Sequence, residues 1–164
     1  MPIVVGIPKE TFPGERRVAI IPASIPVLQR LDLEILVESK AGEDAGYADN
    51  EYLEKGAKII ESRAHLFSSA DIILHIRGFG ANSKNGRTDL DLLKENQIII
   101  GMIEPLSNPD NIEVLANLKV TAFALELMPR ITRAQSMDVL SSMANISGYK
   151  SVLLAANALP SYSR

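Results

Sequence analysis

DIILHI, Asp71 to Ile76, and QIIIGM, Gln97 to Met102, decide the fold. Both are short, mostly apolar runs, as expected for strands of a parallel sheet that is covered on both faces. Outward from them, strand-like and helix-like segments alternate. Ile3–Ile7, Glu34–Glu38, Lys58–Ile60 and Val120–Leu125 read as further strands. Ser24–Leu31 reads as a helix, with Pro26 in a first turn where a missing N–H costs little. Asp49 is placed to N-cap a helix over Asn50–Lys55, and Gly56 to stop it. Ser62–Phe67, Leu90–Glu95 and Pro109–Asn117 complete the helices between strands. The alternation predicts a doubly wound α/β domain, mostly parallel and Rossmann-like or flavodoxin-like, with helices on both faces. Asp71–Ile76 and Gln97–Met102 are expected to be central and mostly buried.

GFGANSKNGRT, Gly78 to Thr88, is the clearest loop. Its Gly78-Phe-Gly80-Ala-Asn-Ser83 nearly spells a dinucleotide fingerprint. No apolar helix follows, so phosphate binding at a helix N-terminus lacks its physical basis.

The 164 residues suffice for one domain with a core. A net charge of −3 without a basic cluster, 5% aromatic residues and no Trp speak against a nucleic-acid partner. Absence of Cys excludes disulfides, thiolate metal sites and a Cys nucleophile. His65 and His75 are the two histidines and lie apart, so no metal site is expected. No run reaches the roughly 20 apolar residues of a membrane helix. The N-terminus MPIVVGIPKE lacks a signal or transit pattern, which makes a cytoplasmic location the expectation.

MPRITRAQSMDVLSSMANISGYK, Met128 to Lys150, carries the functional signal. Read as one long helix, from Arg133 to about Leu159 with Pro160 ending it, it has an unusual polar stripe. At about 100° per residue, Gln135, Asp138, Ser141, Ser142, Asn145 and Tyr149 share roughly one third of the circumference. Short amides and hydroxyls suit a face that meets a polar ligand or another subunit; a solvated face usually carries Lys and Glu. Thr132 and Gln135 also have the spacing of a capping box, which competes evenly with a binding role for Gln135. Arg130 presents a planar set of donors suited to an amide oxygen or phosphate. Asp138 is a candidate ion-pair partner for Arg130 or Arg133.

PRITRAQSMDVLSSMAN (Pro129 to Asn145) resembles the signature of the alpha subunit, or first domain, of proton-translocating nicotinamide nucleotide transhydrogenase. GIPKETFPGERRVAIIP (Gly6 to Pro22) is similar to a motif that this family shares with alanine dehydrogenase. VESKAGEDAGYADNEYLEKGAKI (Val37 to Ile59) and ADIILHIRGF (Ala70 to Phe79) resemble it more loosely. The resemblance spans nearly the whole chain and implies that residues 1–164 are the N-terminal domain of an NAD(H)-binding subunit. A following Rossmann domain, absent from this sequence, would be supplied in cis or in trans.

By the same resemblance, Arg130, Gln135, Asp138 and Ser141 contact or align the nicotinamide, with Gln135 and Asp138 nearest the hydride-transfer step. Hydride passes to NADP(H) on the beta subunit, coupled to proton movement through a membrane domain. The implied assembly is a homodimer of alpha subunits, peripheral at the inner face of the membrane through its partners. The alanine dehydrogenase branch binds a substrate carboxylate through an arginine that matches Arg17 and a second cation at a position best matched by Arg77. That branch also expects a histidine near Met102, where this chain has GMIEPLSNP, so the 2-oxo acid site is incomplete. Arg17 could instead hold Glu10 or Glu15. An alanine dehydrogenase-like half, or a non-catalytic dimerisation or docking module, are the competing readings.

Overall fold

The computed structural model describes residues 2–159; Pro160, expected to end the last helix, lies outside them. Two compact units divide the chain, one up to Ala124 and one from Leu125.

The first unit is built on six parallel strands: β1 (Ile3–Ile7), β2 (Leu33–Glu38), β3 (Lys58–Ile60), β4 (Ile72–Arg77), β5 (Ile98–Met102) and β6 (Thr121–Ala124). Their order is β3-β2-β1-β4-β5-β6. This is the strand order of dinucleotide-binding folds, and it puts the reversal of direction between β1 and β4. The expected doubly wound α/β fold is therefore present, with every strand pair parallel.

Alternation along each strand sends side chains to opposite faces. Val5, Ile7, Ile35 and Val37 meet Ile25 of α1 (Ile25–Gln29) and Tyr52 of α2 (Asp49–Glu54) on one face. Leu36 and Ile73 meet Leu66, Phe67 and Ala70 at α3 (Arg63–Ser69) on the other. A third cluster joins Ile99, Ile103 and Phe79 to Leu115 of α4 (Pro109–Asn117). Tyr52 is fully buried; its hydroxyl donates to the Ile20 carbonyl at 2.9 Å, and burial pushes its pKa up to about 12.

Several local expectations are corrected. α1 is shorter than Ser24–Leu31 because Pro22–Ser24 forms a separate 3-10 turn before it. Asp49 is the first residue of α2 and not its cap. Its carboxylate accepts from Ser39 Oγ and Lys40 N, both at 2.8 Å, and the free N–H of Ala48 goes to Glu51 at 2.8 Å instead. Ser62 stands outside α3 and caps it, accepting from His65 N. Leu90–Glu95 is not an α-helix: a 3-10 segment covers Gly86–Leu92, with its buried Asp89 drawn onto Arg63 at 2.7 and 2.8 Å.

β4 is central, as expected, but β5 lies second from the edge. Ile99 and Gly101 are buried, whereas Ile98, Ile100 and Met102 are only half-buried. The face carrying Ile98 and Ile100 continues onto Phe123 of β6, which is 54% exposed. An apolar run signals a strand that can be covered on both faces, but the cluster that α1 and α2 build on this face extends to Ile72 and Leu74 of β4 and includes no residue of β5.

Candidate functional site

In the second unit, Met128 to Lys150 is not one helix. A 3-10 segment over Thr132–Met137 is followed by α5 (Val139–Ala158), with Asp138 between them at φ −77° and ψ 97°. The extended ψ folds the Asp138 carboxylate over the first turn of α5. One oxygen accepts from Leu140 N at 3.0 Å and Ser141 N at 3.1 Å; the other accepts from Ser141 Oγ at 2.6 Å. Asp138 is thus the N-cap of α5, satisfying donors that a helix start leaves bare. Ser142 Oγ closes the turn by donating to the Asp138 carbonyl at 3.2 Å.

This interruption removes the capping box. Thr132 opens the 3-10 segment behind Ile131, and no side-chain cap bond forms there. Gln135 has an exposed side chain, and its backbone carbonyl accepts from Asp138 N at 3.3 Å. The capping-box account of Gln135 therefore does not hold.

In a 3-10 helix, residues three apart eclipse one another. Thr132, Gln135 and Asp138 share one edge for that reason, and Ser141 lies three further on. Together with Arg130 and Ile131 they line a pocket of about 280 Å³. All four residues assigned to the nicotinamide by resemblance are in that wall. Ile131 and Thr132 are lining residues that the sequence reading misses; the spacing of three from Thr132 to Ser141 is the signal that could have found Thr132. Ser142, Asn145 and Tyr149, read as part of the same stripe, are exposed on α5 and do not line it.

The hydrogen bond from Ser141 Oγ is the largest influence holding the Asp138 carboxyl below its ordinary range. Backbone N–H donors and the nearby charge of Arg130 act in the same direction. Asp138 is a buried residue close to the surface, and the opposing effect of burial is weaker than the two hydrogen bonds from Ser141. The expected ion pair with Arg130 or Arg133 is absent among the described residues. The local N–H and O–H donors take both carboxylate oxygens instead.

The first unit places Arg17 and Arg77 together, at the carboxyl ends of the strands, but on the chain's own Glu15. Arg17 donates to it through Nε at 2.7 Å and Nη2 at 2.6 Å, and Arg77 Nε at 3.3 Å. Arg77 also stacks on Phe12, 4.3 Å from the ring centre. Glu15 is 6% exposed at its side chain, and the Arg17 hydrogen bond lowers its pKa to about 2.

Glu10 enters the crevice between β1 and β4, accepting from Ile76 N at 2.6 Å and Arg77 N at 3.1 Å, with the buried His75 Nδ1 3.6 Å away. Dinucleotide folds bind at this switch point, over a glycine turn and helix N-terminus. Here an irregular segment follows β1, and its carboxylates take the free N–H groups.

Gly80 serves packing. A Cβ on Gly80 would lie 1.7 Å from the Ile103 carbonyl oxygen, so only glycine lets the two backbones meet. Gly78 N donates to the Met102 carbonyl at 2.9 Å. No group of three potential metal ligands occurs among the described residues. No described helix is long and apolar enough to cross a membrane.

The fold recurs in solved relatives. The NAD(P) transhydrogenase subunit alpha of Cereibacter sphaeroides is 39% identical over 153 residues, covering 93% of this chain and 28% of that protein. The crystal structure of transhydrogenase from Sinorhizobium meliloti superposes with a TM-score of 0.85 at 38% identity, covering 96% of this chain and 45% of the other. An alanine dehydrogenase of Methanococcus maripaludis is more distant, 28% identical over 157 residues, covering 96% of this chain and 40% of that protein. The chain thus spans less than half the length of these relatives. The family model for the alanine dehydrogenase/PNT N-terminal domain matches residues 6–147, and the chain belongs to that family.

Proposed function

We propose that this chain supplies the nicotinamide-facing wall of the NAD(H) site in an NAD(P) transhydrogenase alpha subunit. The single observation that carries the reading is the pocket itself. Arg130, Gln135, Asp138 and Ser141, which the sequence singles out, gather around one cavity despite the break at Asp138.

The side chains fit a nicotinamide ring with its carboxamide. Arg130 donates only, Gln135 both donates and accepts, and the small hydroxyls leave room for a planar group. Nicotinamide supplies the chemistry when bound: a hydride leaves C4 of one dihydropyridine ring for C4 of a second, oxidised ring, with no proton taken from the protein. The chain's contribution is position. Gln135 on the 3-10 edge would set the ring, Arg130 would take the carboxamide oxygen, and Ile131 would line the pocket beside it. Near-attack geometry of this kind needs no nucleophile or general base.

The remainder of the reading lies outside the chain. NAD(H) phosphates and adenosine are held by a separate Rossmann domain, in cis or in trans. NADP(H) sits on the beta subunit, which leads to a proton-conducting membrane domain. The alpha subunits pair as a homodimer, peripheral to the inner face of the membrane. The alanine dehydrogenase alternative is disfavoured by Glu15, which takes both arginines of its substrate site, and by the lower identity of that branch.

The test is a chimera in which this chain replaces the matching 153 residues of the Cereibacter sphaeroides subunit. Hydride transfer from NADH to an NADP analogue on the beta subunit's nucleotide domain should be retained. A folded chimera that binds NADH but transfers no hydride contradicts the reading.

A further inference from the structure

The handedness of the strand connections divides the sheet of the first unit unequally. Chain order runs outward from β1 to β2 and β3, then returns across the sheet to β4, β5 and β6. Right-handed crossovers put the helices of the outward run on one face and those of the return on the other. α1 and α2 accordingly pack on the face of Val5 and Ile35. α3, the 3-10 segment and α4 pack on the opposite face, against Ile73 and Ile99. Among the described residues, no connection between strands therefore covers the first face at β5 and β6.

That vacant quarter is apolar. Side chains alternate along a strand, so Ile98 and Ile100, paired with Ile72 and Leu74, stand on the face of α1 and α2 and are half-buried. Phe123 of β6 lies beside Ile100 and is 54% exposed. On α1, Gln29 Nε2 donates to the Gly56 carbonyl at 2.9 Å, just past α2. Val27 is about 160° around the helix from Gln29, so it lies on the flank away from α2, and it too is exposed. The three strands β4, β5 and β6 span roughly 10 Å, which is the diameter of one helix with its side chains. α1 already sets a layer one helix thick next to this recess.

We propose that the recess takes an amphipathic helix from a later stretch of an alpha subunit, so that two separate stretches of one subunit complete this domain. The helix would lay an apolar stripe, spaced three and four residues apart, on Ile98, Ile100 and Phe123 and one flank against Val27. Length supplies the source. The Sinorhizobium meliloti transhydrogenase chain superposes on 96% of this chain, which covers 45% of that one. A second copy of this chain is the poorer fit, because a two-fold axis brings recess against recess where a ridge is needed. The inference rests on the alpha-subunit reading, but it concerns the first unit and none of the residues that line the nicotinamide pocket.

The chain has no Cys, so single cysteines report cover directly. Phe123→Cys tests the recess. Leu53→Cys, on α2 and also 54% exposed, is the open control, and Val37→Cys, in the buried core, reports folding. Each is placed in the 164-residue chain and in a chimera where this chain replaces the matching part of the Sinorhizobium meliloti chain. Thiol labelling is read by mass spectrometry of the peptide that carries the new cysteine.

In the 164-residue chain Phe123→Cys should react about as fast as Leu53→Cys. In the chimera it should slow at least about tenfold, while Leu53→Cys stays open and Val37→Cys is protected in both. A photoreactive side chain at position 123 of the chimera should cross-link to a helical peptide beyond the replaced part. Equal reactivity of Phe123→Cys in a folded chimera overturns the proposal, and so does a cross-link to a non-helical segment. Protection that grows with concentration of the 164-residue chain assigns the recess to a second copy and overturns it as well. Protection without hydride transfer in the chimera would sink the nicotinamide reading and leave this inference standing; transfer with an open position 123 would do the reverse.

Discussion

Arg17 grips Glu15 two residues before it, through Nε at 2.7 Å and Nη2 at 2.6 Å, with Arg77 closing on the same carboxylate. The pairing lowers the folded Glu15 pKa from 4.5 to about 2. A depressed carboxyl pKa stabilises the fold above the unfolded value; that contribution declines as pH falls from 4.5 toward 2. Melting temperature should therefore drop across this window, and more steeply in the unaltered chain than in Glu15→Gln. Identical slopes would mean that the ion pair contributes nothing to folding.

Arg63 joins four parts of the first unit. It donates to Asp89 at 2.7 and 2.8 Å, to Glu38 at 2.6 Å and to the Lys9 carbonyl at 2.9 Å. Burial works against its charge, and Asp89 and Glu38 outweigh that effect. Arg63→Met leaves two mostly buried carboxylates facing each other and should cost about 3 kcal/mol in denaturant unfolding. Arg63→Lys, which keeps charge but loses the fork, should fall between. A cost within experimental error would show that the cluster relaxes into solvent.

Gly80 and Gly148 predict opposite outcomes for the same change. Gly80→Ala forces a methyl into the Ile103 carbonyl and should cost about 1–3 kcal/mol. Gly148→Ala, in the interior of α5 with nothing within 4 Å of the new methyl, should raise helicity and contribute about 1 kcal/mol to that helix. Circular dichroism with thermal melts reads both. A tolerated Gly80→Ala would reopen Gly78–Ser83 as a flexible ligand loop.

The sheet was legible because its signal is local. QIIIGM and DIILHI declare themselves strands by their own side chains, and the helix Pro109–Asn117 by its proline and apolar spacing. Cap positions were less legible, since Asp49 and Asp138 each had to choose among nearby donors. Asp49 turned to Ser39 and Lys40 across a loop, and Asp138 broke a helix that periodicity alone would have run straight through. Four residues of the pocket wall were singled out by resemblance, and the residues around Thr132 remained hidden because a 3-10 edge has period three where an α-helix was assumed. Half-burial of β5 was illegible because it depends on which neighbours reach it, not on its own composition.

The chain by itself should bind NADH poorly. Dinucleotide affinity comes largely from a glycine turn and helix N-terminus around the phosphates. Here the β1–β4 crevice is filled by Glu10 and the Arg17–Glu15–Arg77 cluster. NADH fluorescence should change little below millimolar cofactor. Micromolar binding would require a phosphate site that this geometry lacks.

The most direct measurement is hydride transfer by stopped flow in the Cereibacter sphaeroides chimera, comparing this chain with its Gln135→Asn form. Asn retracts the amide by one methylene while leaving the cap at Asp138 untouched. The account predicts transfer slowed by about 10- to 100-fold, with NADH affinity and melting temperature nearly unchanged. Unaltered transfer rates in a folded, NADH-binding variant would contradict it and leave the pocket without a role in aligning the nicotinamide.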